Sequence, residues 1–301
     1  MLSKKQFEHK DRLVKGISDD GHFKISVVKT TDVVRTAKEK HGLSLLNTVL
    51  LGRALTGVML LASELKGEER IQLRIDCDGP VGQIVTEANR VGEIRGYVQN
   101  PAVELDYSDR EIQLSDGIGN GVLTLKKILY NEAEPKTSTI EIVKGNITDD
   151  LAFYMFQSEQ VPSAILLDVG MDEKGEVSEA GGILVQRLPD APEGKIDELR
   201  ENLKQFSSIH KLFSEGLYID DLMERALAPM KVSELDRQPV DFFCRCTRDR
   251  FVNALTMLDF EELREISDEG QELVCHFCNE HYQVSQEEIE EIATQVKARM
   301  N

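Results

Sequence analysis

Four of the chain's five cysteines fall in two tight pairs near the C-terminus: Cys244-x-Cys246, a gap spanning residues 247–274, then Cys275-x-x-Cys278. A tetrahedral Zn²⁺ takes four soft donors at a metal–sulfur distance of about 2.3 Å, and two chelating pairs joined by a loop supply them. The segment 241–301 is too short to bury a sufficient core unaided. The spacing therefore predicts a small C-terminal domain whose folding is inseparable from one ion held by Cys244, Cys246, Cys275 and Cys278. Removing that ion should unfold most of 241–301.

The remaining composition bounds what such a domain is attached to. A chain of 301 residues has room for roughly two domains. A net charge of −18 favours solubility and opposes contact with a phosphate backbone. The opening Met1-Leu2-Ser3-Lys4-Lys5-Gln6 lacks the apolar run of a secretory signal, so a cytoplasmic setting is expected. Leu45 to Leu65 is apolar enough to raise a membrane span. Arg53 near its centre would cost about 2.5–3.5 kcal/mol on insertion scales, and Asn47, Gly52 and Gly57 interrupt it, so a helix buried in a soluble core is the better reading. In a reducing compartment, paired cysteines bind metal or do redox work more often than they staple a fold.

Along the chain, 1–188 reads as an α+β domain. Thr31-Asp32 opens a short helix that Gly42 closes, and a long apolar helix follows from Ser44. Ile71 to Ile75, Ile84 to Thr86 and Ile94 to Val98 alternate as the strands of a meander, with Asp78-Gly79-Pro80 as a turn. Leu123 to Tyr130 and Thr139 to Val143 add strands. Thr148-Asp149-Asp150 caps a helix reaching Ser158. Ala164 to Val169 and Gly182 to Leu188 flank the Asp172-Glu173-Lys174-Gly175 turn. Pro189 to Gly194 marks a boundary, beyond which 189–240 reads as a helical linker. Ile196, Leu199, Leu203, Phe206 and Phe213 form one stripe, and Leu217 to Leu227 a second helix. Short helices of this kind are marginal alone and must dock on something. In 241–301, Val252 to Leu258 suggests a helix, Leu273 to Tyr282 a tight hairpin, and Ser285-x-x-Glu288 a capping box for a last helix.

Thiolates bind metal and thiols do not. Arg245, Arg248 and Arg250 beside the first pair favour ionised, nucleophilic sulfur. A disulfide sulfur is a poor ligand, and a Cys244–Cys246 disulfide would close a small strained ring, the kind that is easily reduced and tends to be regulatory. A permanent structural module and a reversible redox switch are both consistent with the pattern. His276 and His281 could stand in for a cysteine, but four sulfurs already fill the sphere. Cys77 reads as a buried thiol in a strand. Asp116-Gly117-Ile118-Gly119-Asn120-Gly121 precedes a strand-like run rather than a helix, so it reads as a flexible turn and not a phosphate loop. With no P-loop, nucleophile elbow or His-Glu-x-x-His, no enzyme chemistry and no nucleotide cofactor are predicted. Two other classes compete. A zinc-ribbon nucleic-acid binder needs a basic face, yet Asp249, Glu261, Glu262 and Glu265 surround the arginines. A thiol-disulfide oxidoreductase needs its Cys-x-x-Cys at a helix start.

Taken together, the motifs resemble the Hsp33 family of redox-regulated chaperones over nearly the whole chain. They include Thr31-Asp32-Val33-Val34-Arg35, Gly52-Arg53-Ala54-Leu55-Thr56-Gly57, Asp76-Cys77-Asp78-Gly79-Pro80-Val81-Gly82 and Arg95-Gly96-Tyr97-Val98. Ser158-Glu159-Gln160-Val161-Pro162-Ser163, Ala180-Gly181-Gly182, Phe243-Cys244-Arg245-Cys246 and Cys275-His276-Phe277-Cys278 continue the match. The resemblance implies a quiet, reduced state with one Zn²⁺ per chain on all four cysteines. It implies activation by oxidants through Cys244–Cys246 and Cys275–Cys278 disulfides, with zinc release and loosening of the 189–240 linker. It further implies ATP-independent holding of unfolded client proteins and a homodimer on activation, while the acidic charge and Arg53 argue against nucleic acid and membrane as partners.

Overall fold

The computed structural model describes residues 10–106, 110–130, 132–206, 208–266 and 271–300; the stretch Met1–Gln6, read above for a signal, lies outside them. The chain divides into two compact units, the first ending at Phe243 and the second beginning at Cys244.

The first unit mixes helices with two sheets. Strands β1 (Arg12–Ser18) and β2 (Phe23–Lys29) lead into helices α1 (Thr31–His41) and α2 (Leu45–Ala62). The meander β3 (Arg70–Cys77), β4 (Gln83–Asn89) and β5 (Glu93–Val98) follows. Helix α3 (Leu114–Ile118), strands β6 (Gly121–Ile128) and β7 (Lys136–Glu141), and helix α4 (Thr148–Gln157) come next. Strands β8 (Ser163–Met171) and β9 (Val177–Arg187) precede helices α5 (Lys195–Lys204), α6 (Ile209–Ser214) and α7 (Ile219–Leu227). Strands β10 (Val232–Pro239) and β11 (Asp241–Phe242) close the unit. One sheet runs β10-β1-β2-β9-β8 and the other β11-β5-β4-β3-β6-β7.

Helix α2 is apolar on every side, the signature of a helix enclosed by protein. Leu50, Leu51, Leu55 and Met59 share one core with Leu73, Ile75, Ile84 and Ile94 of the second sheet and with Leu13, Val28 and Leu184 of the first. By length and composition it could cross a membrane, but most of it is buried in this unit. Its polar residues are answered in part: Asn47 Nδ2 donates to the carbonyls of Asn100 and Pro101 at 2.9 Å each, and Arg53 Nη1 to that of Asn146 at 3.1 Å, while Asn47 Oδ1 and Arg53 Nε are buried without a hydrogen-bond partner among the described residues.

Helices α5 to α7 cover the first sheet. Ile196, Leu199, Leu203, Ile209, Phe213, Leu222 and Met223 pack on Val14, Phe23, Ile25, Val27, Ile183 and Val185. That sheet is thus apolar on both faces, which is why β9 is buried almost continuously from Ala180 to Val185. The linker segment departs from the sequence reading in two ways. The stripe from Ile196 to Phe213 is broken after Lys204 into two helices, and the helical run stops at Leu227. Pro229 lacks an amide proton for a helix, and Val232–Pro239 instead pairs antiparallel with β1. Strands β1 and β2, which the sequence reading did not name although Phe23 to Val27 alternates, are a further departure.

Two caps also differ. Thr31 does not cap α1; its hydroxyl donates to Glu179 at 2.6 Å, while Asp11 Oδ2 accepts the Val33 amide at 2.8 Å. At α4, Asp150 alone accepts the amides of Val143, Lys144, Gly145, Asn146 and Ile147, at 2.8–3.3 Å.

The second unit contains α8 (Arg248–Leu255), α9 (Phe260–Glu265), the hairpin β12 (Gln271–Val274) and β13 (His281–Val284), and α10 (Gln286–Met300). Leu255, Leu263, Val284, Ile289, Ile292 and Val296 make its core. The predicted capping box is formed: the Glu288 amide donates to Ser285 Oγ at 3.3 Å and the Ser285 amide to Glu288 Oε2 at 3.0 Å.

Candidate metal centre

The second cysteine pair occupies the β12–β13 turn. The Cys278 and Asn279 amides donate to the Cys275 carbonyl at 3.3 and 2.7 Å, and the Cys275 amide to the Glu280 carbonyl at 2.9 Å. Asn279 takes the left-handed conformation (φ 55°), which asparagine tolerates better than most residues. The first pair precedes α8, whose N-cap Thr247 accepts the Arg250 amide at 3.3 Å. A turn and a cap therefore hold the two pairs.

The four sulfurs converge within 4.8 Å of one another, and neither His276 nor His281 belongs to the cluster. Cys244 Sγ lies 3.7 Å from Cys275 Sγ, and Cys246 Sγ 3.3 Å from Cys278 Sγ, so each contact joins one pair to the other. A tetrahedral ion with metal–sulfur bonds near 2.3 Å places its ligands about 3.8 Å apart. A disulfide needs about 2.05 Å. None of the four is in a disulfide, and their spacing is one that could hold a metal ion.

Without a cation, such crowding opposes ionisation. Sharing a hydrogen bond with Cys244, then burial, pushes the Cys275 thiol far up. Burial first, and the Cys246 sulfur after it, push Cys278 up to about 11. A divalent cation reverses this balance, because it stabilises the thiolates that repel one another. Arg248 contributes less positive charge than the sequence suggested, because a carboxylate answers it. Arg248 Nη2 donates to both Glu288 carboxylate oxygens at 2.6 Å, and Arg250 Nη1 donates to the Arg245 carbonyl at 2.7 Å. His281 Nδ1 lies 3.2 Å from Glu272 Oε1.

Tyr282 escaped the sequence reading. Its hydroxyl lies 3.3 Å from Cys246 Sγ and 3.4 Å from the Cys246 carbonyl, and its ring packs against Phe251 with centroids 5.3 Å apart. Its signal was its place in the strand directly after the Cys275–Cys278 turn, paired with Leu273. Elsewhere, Cys77 is half-buried and donates to the Gly82 carbonyl at 3.2 Å, and burial pushes its thiol up. The run 116–121 is not a free turn. It ends α3 and begins β6, and Asp78 Oδ1 accepts the Asn120 amide at 2.7 Å.

The chain is similar to known proteins over most of its length. A family model described as Hsp33 protein matches residues 11–285. A 33 kDa chaperonin of Thermus thermophilus is 38% identical, covering 95% of this chain and 87% of that protein. That of Desulforamulus reducens is 34% identical, with 96% and 99% covered. The crystal structure of the Thermotoga maritima 33 kDa chaperonin superposes with a TM-score of 0.89 at 34% identity, covering 96% of this chain and all of that one.

Proposed function

The chain belongs to the Hsp33 family, a family of chaperones, and from that premise we propose that it is a redox-regulated holdase that keeps unfolding proteins from aggregating without ATP. The observation that carries the reading is the convergence of Cys244, Cys246, Cys275 and Cys278 within 4.8 Å. Four soft thiolates in a tetrahedral spacing suit one Zn²⁺. Bound there, the ion supplies the folding energy that the small core of 241–301 lacks.

Activation is chemistry of the sulfurs themselves. Within Cys244–Cys246 and within Cys275–Cys278, two thiolates give up two electrons to one hydrogen peroxide. An S–S bond forms, the O–O bond breaks, and two hydroxides leave. Each disulfide removes two ligands, so the quartet can no longer hold the C-terminal domain together. The domains implied are a core of 1–188 that binds clients and dimerises, a linker of 189–240, and a switch of 241–301. Loosening of the amphipathic linker would bare the apolar faces of α5 to α7 and of the sheet beneath, surface of the kind that holds unfolded chains. Partners are unfolded clients and, on activation, a second copy, in the cytoplasm.

The test measures zinc and free thiols before and after peroxide, beside suppression of a client's thermal aggregation. The reading predicts one zinc lost and four thiols consumed as suppression appears. Full suppression by reduced, zinc-loaded protein would refute it.

A further inference from the structure

We propose that Tyr282 is a positioning residue that holds Cys246 back from oxidation by donating its hydroxyl proton to the sulfur. The inference rests on the redox reading above and adds to it the control of one sulfur.

The Tyr282 hydroxyl has one proton and two acceptors within reach, Cys246 Sγ at 3.3 Å and the Cys246 carbonyl at 3.4 Å. When Cys246 is a thiolate, the negative sulfur is the stronger acceptor, because hydrogen bonds to charged groups are about twice as strong as neutral ones. The position is built. Pairing of Leu273 with Tyr282 fixes the backbone, and the Phe251 ring fixes the phenol plane. Phe251 lies on α8, the helix that starts just after Cys246, so ring and sulfur are carried by adjoining segments. Partners of this kind orient metal ligands and tune them.

A hydrogen bond to a thiolate draws electron density from the lone pair that attacks an oxidant. In the first step the Cys246 thiolate attacks one peroxide oxygen, the O–O bond breaks, hydroxide leaves, and sulfenic acid forms. In the second, the Cys244 thiolate attacks that sulfur, the S–O bond breaks, and a second hydroxide leaves. Donation from Tyr282 slows the first step, since sulfur nucleophilicity falls as its basicity falls. The hydroxyl then sets how much oxidant is needed before the first cysteine pair closes.

The test is Tyr282→Phe, which keeps the ring against Phe251, in the full chain loaded with zinc. Under limiting peroxide, oxidation at each cysteine is followed by differential alkylation and mass spectrometry. We expect Cys246 to oxidise roughly three- to tenfold faster, with a smaller change at Cys278. In cobalt(II)-loaded protein, the thiolate-to-metal charge-transfer band should move to lower energy, which a purely structural role would not cause. Should Tyr282→Phe fold poorly, 3-fluorotyrosine at 282 keeps the hydroxyl as a stronger donor and should slow Cys246. Unchanged Cys246 rates in both variants would overturn the proposal while leaving a wild-type switch intact. A wild type that neither binds zinc nor responds to peroxide would instead overturn the redox reading beneath it.

Discussion

Asp11 shows how much one side chain can bear. Its carboxylate is buried where it caps α1 through the Val33 amide, 22 residues away in sequence. Burial outweighs that amide, with the Asp32 charge adding to it, and raises its pKa from 3.8 to about 7. The folded protein therefore keeps this proton in a window where the unfolded chain has released it. Raising the pH from about 4 to about 7 should erode stability by at most ~4 kcal/mol from this group, and the loss should level off above pH 7. Asp11→Asn should flatten that slope in urea unfolding followed by circular dichroism. An unchanged slope would mean the carboxylate titrates normally. Nothing local in the sequence marks Asp11, because its role exists only once β1 and α1 meet. Asp150 is different: the Thr148-Asp149-Asp150 run foretold a helix start, though not that one carboxylate would gather five amides.

Among the elements, α6 is held by specific side-chain contacts. The Phe213 ring sits 4.7 Å from Lys29 Nζ, and that buried lysine pairs with Glu179. His210 meets Asp168 twice, through its amide at 3.0 Å and Nδ1 at 2.9 Å. Gly170 and Gly181 leave the gaps these rings occupy: a β-carbon on Gly181 would come within 2.7 Å of the Phe213 ring, and one on Gly170 would overlap His210. Phe213→Ala should cost about 3–5 kcal/mol and show as faster hydrogen exchange across 209–214. Gly181→Ala should press on both the Phe213 ring and the Val28 carbonyl, 2.5 Å from the added carbon, at a cost of about 1–3 kcal/mol. Equal exchange in both variants and wild type would show that α6 is not held by this fit. The stripe from Ile196 to Phe213 revealed that the segment must dock, since period and apolarity are local. It could not reveal the break after Lys204 or the strand β10, whose polar Ser233, Glu234, Asp236, Arg237 and Gln238 pair with β1 through backbone groups that any sequence carries.

For the whole molecule, the second unit carries a small core beside a sulfur quartet, whereas the first carries two sheets with a helix between them. Chelation of zinc from reduced protein should therefore melt 244–301 and leave 10–243 cooperative, read as protease cleavage confined to the C-terminal unit. The cysteine spacing made the candidate metal centre legible, because chelation imposes short sequence separations. The hairpin and the capping box of α10 were legible because they too are set by short sequence separations. Tyr282 and the Arg248–Glu288 pair were not, because they meet only after the unit folds. The most direct test of the account is hydrogen exchange of the zinc-loaded chain during peroxide treatment, with client aggregation followed in parallel. The account predicts that 244–301 and then 195–227 lose protection as suppression appears, while β3, β4 and β6 keep theirs. Suppression that develops with both segments still protected would contradict it.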